Sequence, residues 1–442
     1  MYGSRVCVLL VAIAFASIAN AQYEHIEVGK RSYAAIKELG AKTLGYPPYA
    51  IFLDESWKGG YDDLAHLDNF PGMIEVVLHG DVLDQKELQF VAGLPKVDAI
   101  EFYETPINDE TLRIIGGMRQ LQRLSLRKCK IPDNGLRRLG DLPELVILSL
   151  DGTSLPPDEL QYLKGLKKLA KLYLEDNNVN SEDMRHLASL NQLQSLYLSE
   201  RNVDSSGMRH LSGLKSLEHL DLSNTSIYSE SMRHLENLQK LSGITLHNTQ
   251  IEDAALAHIG KLKELEVLWA DYTTIRGPGL KHLSELPKLE SMSLAATPLT
   301  DEGLKHIGKC QKLKFLYIPG TPITDEGVQH LAKLKSLESL NIASTEVADK
   351  GLLAISKLSS LKHLNIRGLA VSQEGLTPLT KNHKLNSIWL TSPKVSQEWW
   401  SKVRAEVDFI VPTCEHRRHE EFLSRRYSVN PKGPKTGERW VW

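Results

Sequence analysis

The sequence predicts an α/β solenoid, a horseshoe with parallel strands on its concave face and helices on its convex face. Three observations predict it. An apolar signature recurs every 24 residues through most of the 442-residue chain. Inside each unit a strand-like periodicity gives way to a helix-like one. Polar columns keep the same register as the apolar ones, with no insertion between them. A period of this length marks units that bury their apolar faces only against their neighbours, so length alone does not give the domain number.

The signature is Leu121-x-x-Leu124-x-Leu126, then Leu145-x-x-Leu148-x-Leu150, Leu169-x-x-Leu172-x-Leu174 and Leu193-x-x-Leu196-x-Leu198. It continues through Leu217, Leu241, Leu265, Leu289, Leu313, Leu337, Leu361 and Leu385, and back through Val97, Met73 and Tyr49. In the unit that begins at Leu313, Leu316 and Ile318 alternate as strand residues do. Val328, Leu331 and Leu334 then recur every three residues as the inner stripe of a short helix, and Thr324-Asp325-Glu326 supplies its N-cap and early acids.

The ninth column reads Thr105, Thr153, Thr225, Thr249, Thr273, Thr297, Thr321 and Thr345. A hydroxyl there can bond backbone groups in the turn after each strand, which makes the column a structural ladder. Asp81, Cys129, Asn177, Arg201, Leu369 and Pro393 interrupt it. Arg201 is the hardest to bury without a paired acid, so a local distortion is expected at that repeat. The fifteenth column, with Gly135, Gly207, Gly279, Gly303, Gly327, Gly351 and Gly375, implies close helix approach. Trp399 and Trp400 in the last unit would shield the open end.

These residues resemble the leucine-rich repeat superfamily, specifically bacterial secreted proteins whose short units are similar to the cysteine-containing and ribonuclease-inhibitor-like subclasses. Ile323-Thr-Asp-Glu-Gly-Val328 is the closest match, and the resemblance runs from Tyr49 to Cys414. It implies a curved solenoid that binds proteins or other macromolecules on its concave face, with no catalytic residues to carry over. Thr replaces the usual Cys or Asn of the turn column.

The flanks complete the expected organisation. Residues 1–21 read as a signal peptide: Arg5, an apolar run from Val6 to Ile18, and Ala19-Asn20-Ala21 as the cleavage site. The run is short for a membrane span, so none is expected after cleavage. Residues 22–48, with the amphipathic Tyr33–Gly40 segment, read as an N-terminal helical cap. Residues 49–414 form the solenoid, and 415–442, with Arg417, Arg418, Arg425 and Arg426, form a basic C-terminal cap and tail. Cys7 leaves with the signal. Cys129, Cys310 and Cys414 are odd in number and scattered, so packing rather than disulfides is expected to hold the fold.

Composition and motifs narrow the function. With 53 Lys and Arg against 55 Asp and Glu, the chain has no basic footprint for nucleic acid. No nucleophile elbow, zinc-protease, Walker or dinucleotide fingerprint occurs in a plausible setting, so no catalytic residue and no cofactor is assigned. Asn224-Thr225-Ser226 matches a glycosylation sequon, but the turn column already explains Thr225. A histidine column, His186, His210, His234, His258, His282, His306 and His330, invites a metal. Neighbouring helices pack roughly 10 Å apart, whereas two imidazoles sharing zinc at about 2 Å each must meet far closer. The column is assigned to helix-surface packing, and no metal site is expected.

The outward strand positions vary, as a recognition surface does on a fixed scaffold. Tyr173, Tyr197, Asp221, Trp269, Tyr317 and Trp389 lie between inward strand residues, and Asp151, Glu175, Asp176, Glu200, Asp271 and Tyr272 lie just beyond. Aromatics supply interface energy, and acids attract a basic partner or a hydroxyl-rich ligand. Tyr173, Glu175, Asp176, Tyr197, Glu200, Asp221, Trp269, Asp271, Tyr272 and Tyr317 are therefore the candidate partner-binding residues. Cross-strand packing of aromatics on an exposed sheet is the competing explanation. The expected function is that of an exported, non-enzymatic binding module of periplasm, cell surface or medium. A protein is the first expected ligand and a carbohydrate or envelope polymer the second. An adaptor like the substrate-receptor repeats of F-box proteins is a third reading, opposed by the signal peptide.

Overall fold

The computed structural model describes residues 28–45, 48–70 and 72–391, and the backbone of 408–410. The signal segment, Trp399, Trp400, Cys414 and the basic tail lie outside the described residues. The chain divides into two compact units, residues 1–249 and 250–442.

In the first unit, residues 28–38 are helical and bury Ile36. Lys42–Leu44 pairs antiparallel with Ala50–Leu53. From there every described pairing is parallel: Ile74–His79, Val97–Tyr103, Arg123–Arg127, Ile147–Ser149, Lys171–Tyr173, Ser195–Tyr197, His219–Asp221 and Gly243–Thr245 follow in order. Past an irregularity between Ile74 and Glu75, each residue pairs with the one 24 later, as Tyr173 does with Tyr197. The second unit repeats the scheme from Val267–Trp269 through Ser291–Ser293, Phe315–Tyr317, Ser339–Asn341 and His363–Asn365 to Ser387–Trp389. Asp408–Ile410 then pairs parallel with Ser387–Trp389 at an offset of 21 residues, so the uninterrupted 24-residue register expected from the sequence does not reach this strand.

The core follows the leucine columns. In one repeat Leu193, Leu196, Leu198, Val203, Met208, Leu211 and Leu214 are all fully buried, and each such side chain contributes about 1.5–3 kcal/mol relative to exposure. The expected helices divide in two. α-Helical turns such as Asp301–Ile307, Asp325–Val328 and Gln373–Leu376 follow Thr300, Thr324 and Ser372, all in extended N-cap geometry. The turns at Gly135–Arg138 and Glu159–Gly165 are 3₁₀. Pro132 and Pro156 stand there in the capping column, but 3₁₀ turns also follow Asn180 and Asp204, whose side chains accept backbone N–H groups, and an α-turn follows Ala348, so the cap does not by itself set the helix type.

The threonine column is the ladder expected of it. Thr225, Thr249, Thr273, Thr297, Thr321 and Thr345 each donate Oγ1–H to the carbonyl three residues earlier, at 2.6–2.8 Å. Cys129 is buried in the same column, its Sγ 3.5 Å from the Phe102 carbonyl oxygen, and burial raises its pKa to about 11.

A second ladder sits under the glycine column. Asp325 Oδ1 accepts from Ala348 N at 2.8 Å and Gly351 N at 2.7 Å, and a Cβ on Gly351 would lie 2.6 Å from that oxygen. Asp253 holds Gly277 N and Gly279 N in the same way, and Asp349 accepts from Ser372 beside Gly375. At Gly279, Gly327, Gly351 and Gly375 the aspartate of the preceding repeat occupies the space a Cβ would fill, whereas at Gly135, Gly207 and Gly303 other side chains and backbone do.

Candidate partner-binding strand faces

Alternation sends the third, fifth and seventh residues of each repeat away from the leucine core, onto the strand face. In the first unit the fifth column runs Glu101, Ser125, Ser149, Tyr173, Tyr197, Asp221 along consecutive strands. Tyr173 and Tyr197 stack with centroids 4.4 Å apart and planes 4° from parallel. Tyr173 is half-buried, whereas Tyr197 is only 7% exposed and its phenol pKa is raised by burial.

Acids crowd beside this pair. Asp151 accepts from Ser149 Oγ at 3.0 Å and Glu175 N at 3.1 Å, and stands 3.8 Å from Arg127 Nε. Burial, reinforced by Asp151, Asp221 and Asp176, lifts the Glu175 carboxyl to about 7. Burial raises Asp221 as well, although it accepts from Ser223 N at 2.8 Å. Asp176 is exposed.

Glu200 departs from this face. It is 4% exposed and its carboxylate accepts the N–H of Asn177, while the Asn177 amide donates to the Leu150 carbonyl at 2.8 Å and accepts from Thr153 Oγ1 at 2.8 Å. Arg201, in the column where threonine is buried elsewhere, is exposed, and the turn is moved to Arg201–Asn202. This is the distortion the arginine predicts: the chain turns Glu200 inward instead of burying a guanidinium.

In the second unit Trp269 is 8% exposed, with Nε1 donating to Ser291 Oγ at 3.3 Å. Asp271 accepts from Ser293 Oγ and from Ala295 N at 2.7 Å. Tyr317 is half-buried in the same column. Tyr272 is 66% exposed, but its φ of 55° places it in the turn beyond the strand. This face carries Asn341, Asn365 and several serines, with Trp389 against His363 at 6.0 Å between centroids.

The family model for the leucine-rich repeat matches residues 333–356, one 24-residue unit. Among solved structures, an internalin from Listeria monocytogenes is 20% identical over 70% of this chain and 89% of its own, with a TM-score of 0.56. A leucine-rich repeat protein from Leptospira interrogans is 20% identical over 79% of this chain and 92% of its own, also at 0.56. The TLR13–ssRNA13 complex aligns at 0.52, with 16% identity over 79% of this chain and 57% of that one. The chain has the leucine-rich repeat fold, and one of its units matches the leucine-rich repeat family model. No curated protein sequence matches it. Each of these structural likenesses is one of fold.

Two features of this leucine-rich repeat chain escape a residue-by-residue reading. The eighth residue of the repeats from Gly80 to Gly368 has positive φ, including 52° at Glu104 and 54° at Asp176, with Glu200 the exception. That column mixes Gly, Asn, Lys, Tyr and Ala, so side-chain type does not betray it. On the helix side Tyr61 packs edge-on against Phe90 at 5.0 Å, with Lys86 Nζ 4.2 Å above the Tyr61 ring. These partners come from different repeats and share no column. In the histidine column His282 is exposed and the other six rings are half-buried. Burial and neighbouring cations lower the pKa of His210, His234 and His306. Among the described residues no group of His, Cys, Asp and Glu could hold a metal ion, and no helix is long and apolar enough to cross a membrane.

Proposed function

We propose that this leucine-rich repeat protein is an exported, non-enzymatic module that binds a protein partner on its strand faces. The observation that carries the reading is the division of labour between columns. The leucine, threonine, aspartate and glycine columns are consumed by packing and backbone hydrogen bonds, whereas Tyr173, Glu175, Asp176 and Tyr317 retain exposed surface on the strand side. Tyr197, Trp269 and Asp271 back this surface, Tyr272 and Asp221 extend it, and Glu200 acts from below by fixing Asn177.

Export rests on Arg5, the Val6–Ile18 run and Ala19-Asn20-Ala21. The boundaries at residues 22, 49 and 415 belong to the same proposal, with the helix at 28–38 as the N-terminal cap. The second face, with Tyr317, Asn341, Asn365 and Trp389 and only Asp271 and Arg367 as formal charges in its described third, fifth and seventh columns, also suits a sugar polymer, because aromatic faces pack on sugar rings.

A photo-crosslinking residue placed at position 173 or 317, and separately at helix-side position 185, tests the reading in envelope and secreted fractions of the native source. One polypeptide captured from 173 or 317 but not from 185 supports it. Capture from 185 alone moves recognition to the helix side, and a polysaccharide adduct selects the second ligand. N-terminal sequencing of the exported chain should begin at Gln22.

A further inference from the structure

Backbone hydrogen bonds join the turns that follow successive strands of the first unit. The eighth-column N–H of Glu104, Lys128, Gly152 and Asn224 donates to the carbonyl of Arg127, Asp151, Glu175 and His247 in the next repeat, at 2.7–3.1 Å. Among the described residues Asp176 and Glu200 donate no such bond, so two consecutive rungs are missing. The N–H of Leu198 reaches the Asp221 carbonyl, and the carbonyl of Val203 takes the Ser226 N–H. Between these points, among the described residues, side-chain bonds alone tie residues 199–202 to the neighbouring repeats. Asn224 Nδ2 donates to Ser199 Oγ at 2.9 Å, Ser226 Oγ donates to the Arg201 carbonyl at 3.0 Å, and the Glu200 carboxyl accepts the N–H of Asn177.

We propose that Glu200 is a proton-operated latch on this turn: protonated, its side chain stays inside and fastens residues 199–202 to the preceding repeat, and ionised, it leaves for solvent and the turn loosens. The latch needs no bound partner and goes beyond the binding reading above. Three observations carry it. Glu200 is 4% exposed, and a carboxylate held that deep needs a cation or several donors. It has the N–H of Asn177 and, among the described residues, no ion pair. The titratable groups that face it, Asp176 and Glu175 on the preceding turn, are acids that repel its charge, and Arg201 beside it is exposed. The segment has little else to hold it, because the missing rungs are the bonds that fix this turn in neighbouring repeats. The regular turn is not an alternative, since it would put Arg201 in the buried ninth column.

Burial holds the Glu200 carboxyl at about 8 in the closed turn, whereas a solvated glutamate ionises near 4.5. Between those values the closed form binds a proton that the open form lacks, so the preference for the closed form falls about ten-fold per pH unit as pH rises. Proton uptake therefore stiffens the turn that directly follows the Tyr197 strand.

The test is hydrogen exchange of the full chain at pH 5, 6, 7 and 8, read by mass spectrometry in fragments covering 174–178, 199–203 and 222–226 and corrected for the pH dependence of chemical exchange. The Asn177 N–H should be at least about ten-fold less protected at pH 8 than at pH 5, while the Asn224 N–H, in an intact rung, keeps its protection. In Glu200→Gln, which keeps an acceptor without the charge, Asn177 protection should be flat across the range. The parent profile needs no variant to overturn the latch: constant Asn177 protection from pH 5 to pH 8, or a fall matched at Asn224, does so. A fall that persists in folded Glu200→Gln also overturns it.

Discussion

The carboxylate of Glu200 accepts the backbone N–H of Asn177 in the preceding repeat, where every neighbouring repeat places an eighth-column residue with positive φ. Burial lifts the Glu200 carboxyl from an ordinary 4.5 to about 8, against the pull of the Asn177 N–H. Between those values the folded chain holds a proton that the unfolded chain has lost. This contribution is complete below about 4.5 and is lost as pH rises through 8. Glu200→Gln keeps an acceptor and removes the charge. The melting temperatures of variant and parent should therefore be close at pH 5 and should diverge by pH 8, the variant melting higher. Calorimetry across that range checks it.

Asp325 and Gly351 are coupled in the same spatial sense. Asp325→Ala strips two amides of their acceptor and should cost about 1–3 kcal/mol. Gly351→Ala drives a Cβ into the Asp325 carboxylate and Val347 and should also cost about 1–3 kcal/mol. Part of the glycine cost should vanish in the Asp325→Ala background, so a urea-denaturation cycle should show a non-zero interaction energy.

Leu220 is an inward strand residue, 2% exposed. Leu220→Ala should cost about 2–5 kcal/mol. A change within error in chemical denaturation would contradict the register of the whole first unit.

His234 runs opposite to the acids. Burial and Arg233 lower its folded pKa below 6.5. The neutral ring suits the fold, so stability is present above about 6.5 and falls as the unfolded chain gains a proton that the folded chain refuses. His234→Gln should reduce the loss of thermal stability between pH 7 and pH 5 and leave partner affinity unchanged. Zinc bound stoichiometrically by the parent and lost in the variant would mean that the column holds metal.

The repeat, its leucine core and the threonine ladder were legible because each rests on one column and one physical cause. Thr225 and Thr321 do the same thing for the same reason. The aspartate–glycine ladder was half legible: glycine signalled a close approach, but its partner lies 26 residues back and in another column, as Asp325 does from Gly351. Arg201 announced a disturbance without revealing that Glu200 resolves it, since the outcome depends on which neighbour is cheaper to bury. Tyr197 and Trp269 were readable as outward-facing, and their low exposure was not. That depends on the bulk of flanking side chains across strands rather than on alternation along one.

The measurement that bears most directly on the strand-face account is the calorimetric affinity of the crosslinked partner for Tyr173→Ala and Tyr317→Ala, each first shown to fold by circular dichroism. Truncating an aromatic anchor at the centre of an interface commonly costs at least about 2 kcal/mol. The account predicts a loss of that size in one or both variants, with Arg185→Ala on the helix side near parental affinity. Parental affinity in both folded tyrosine variants, with a loss in Arg185→Ala, would contradict it.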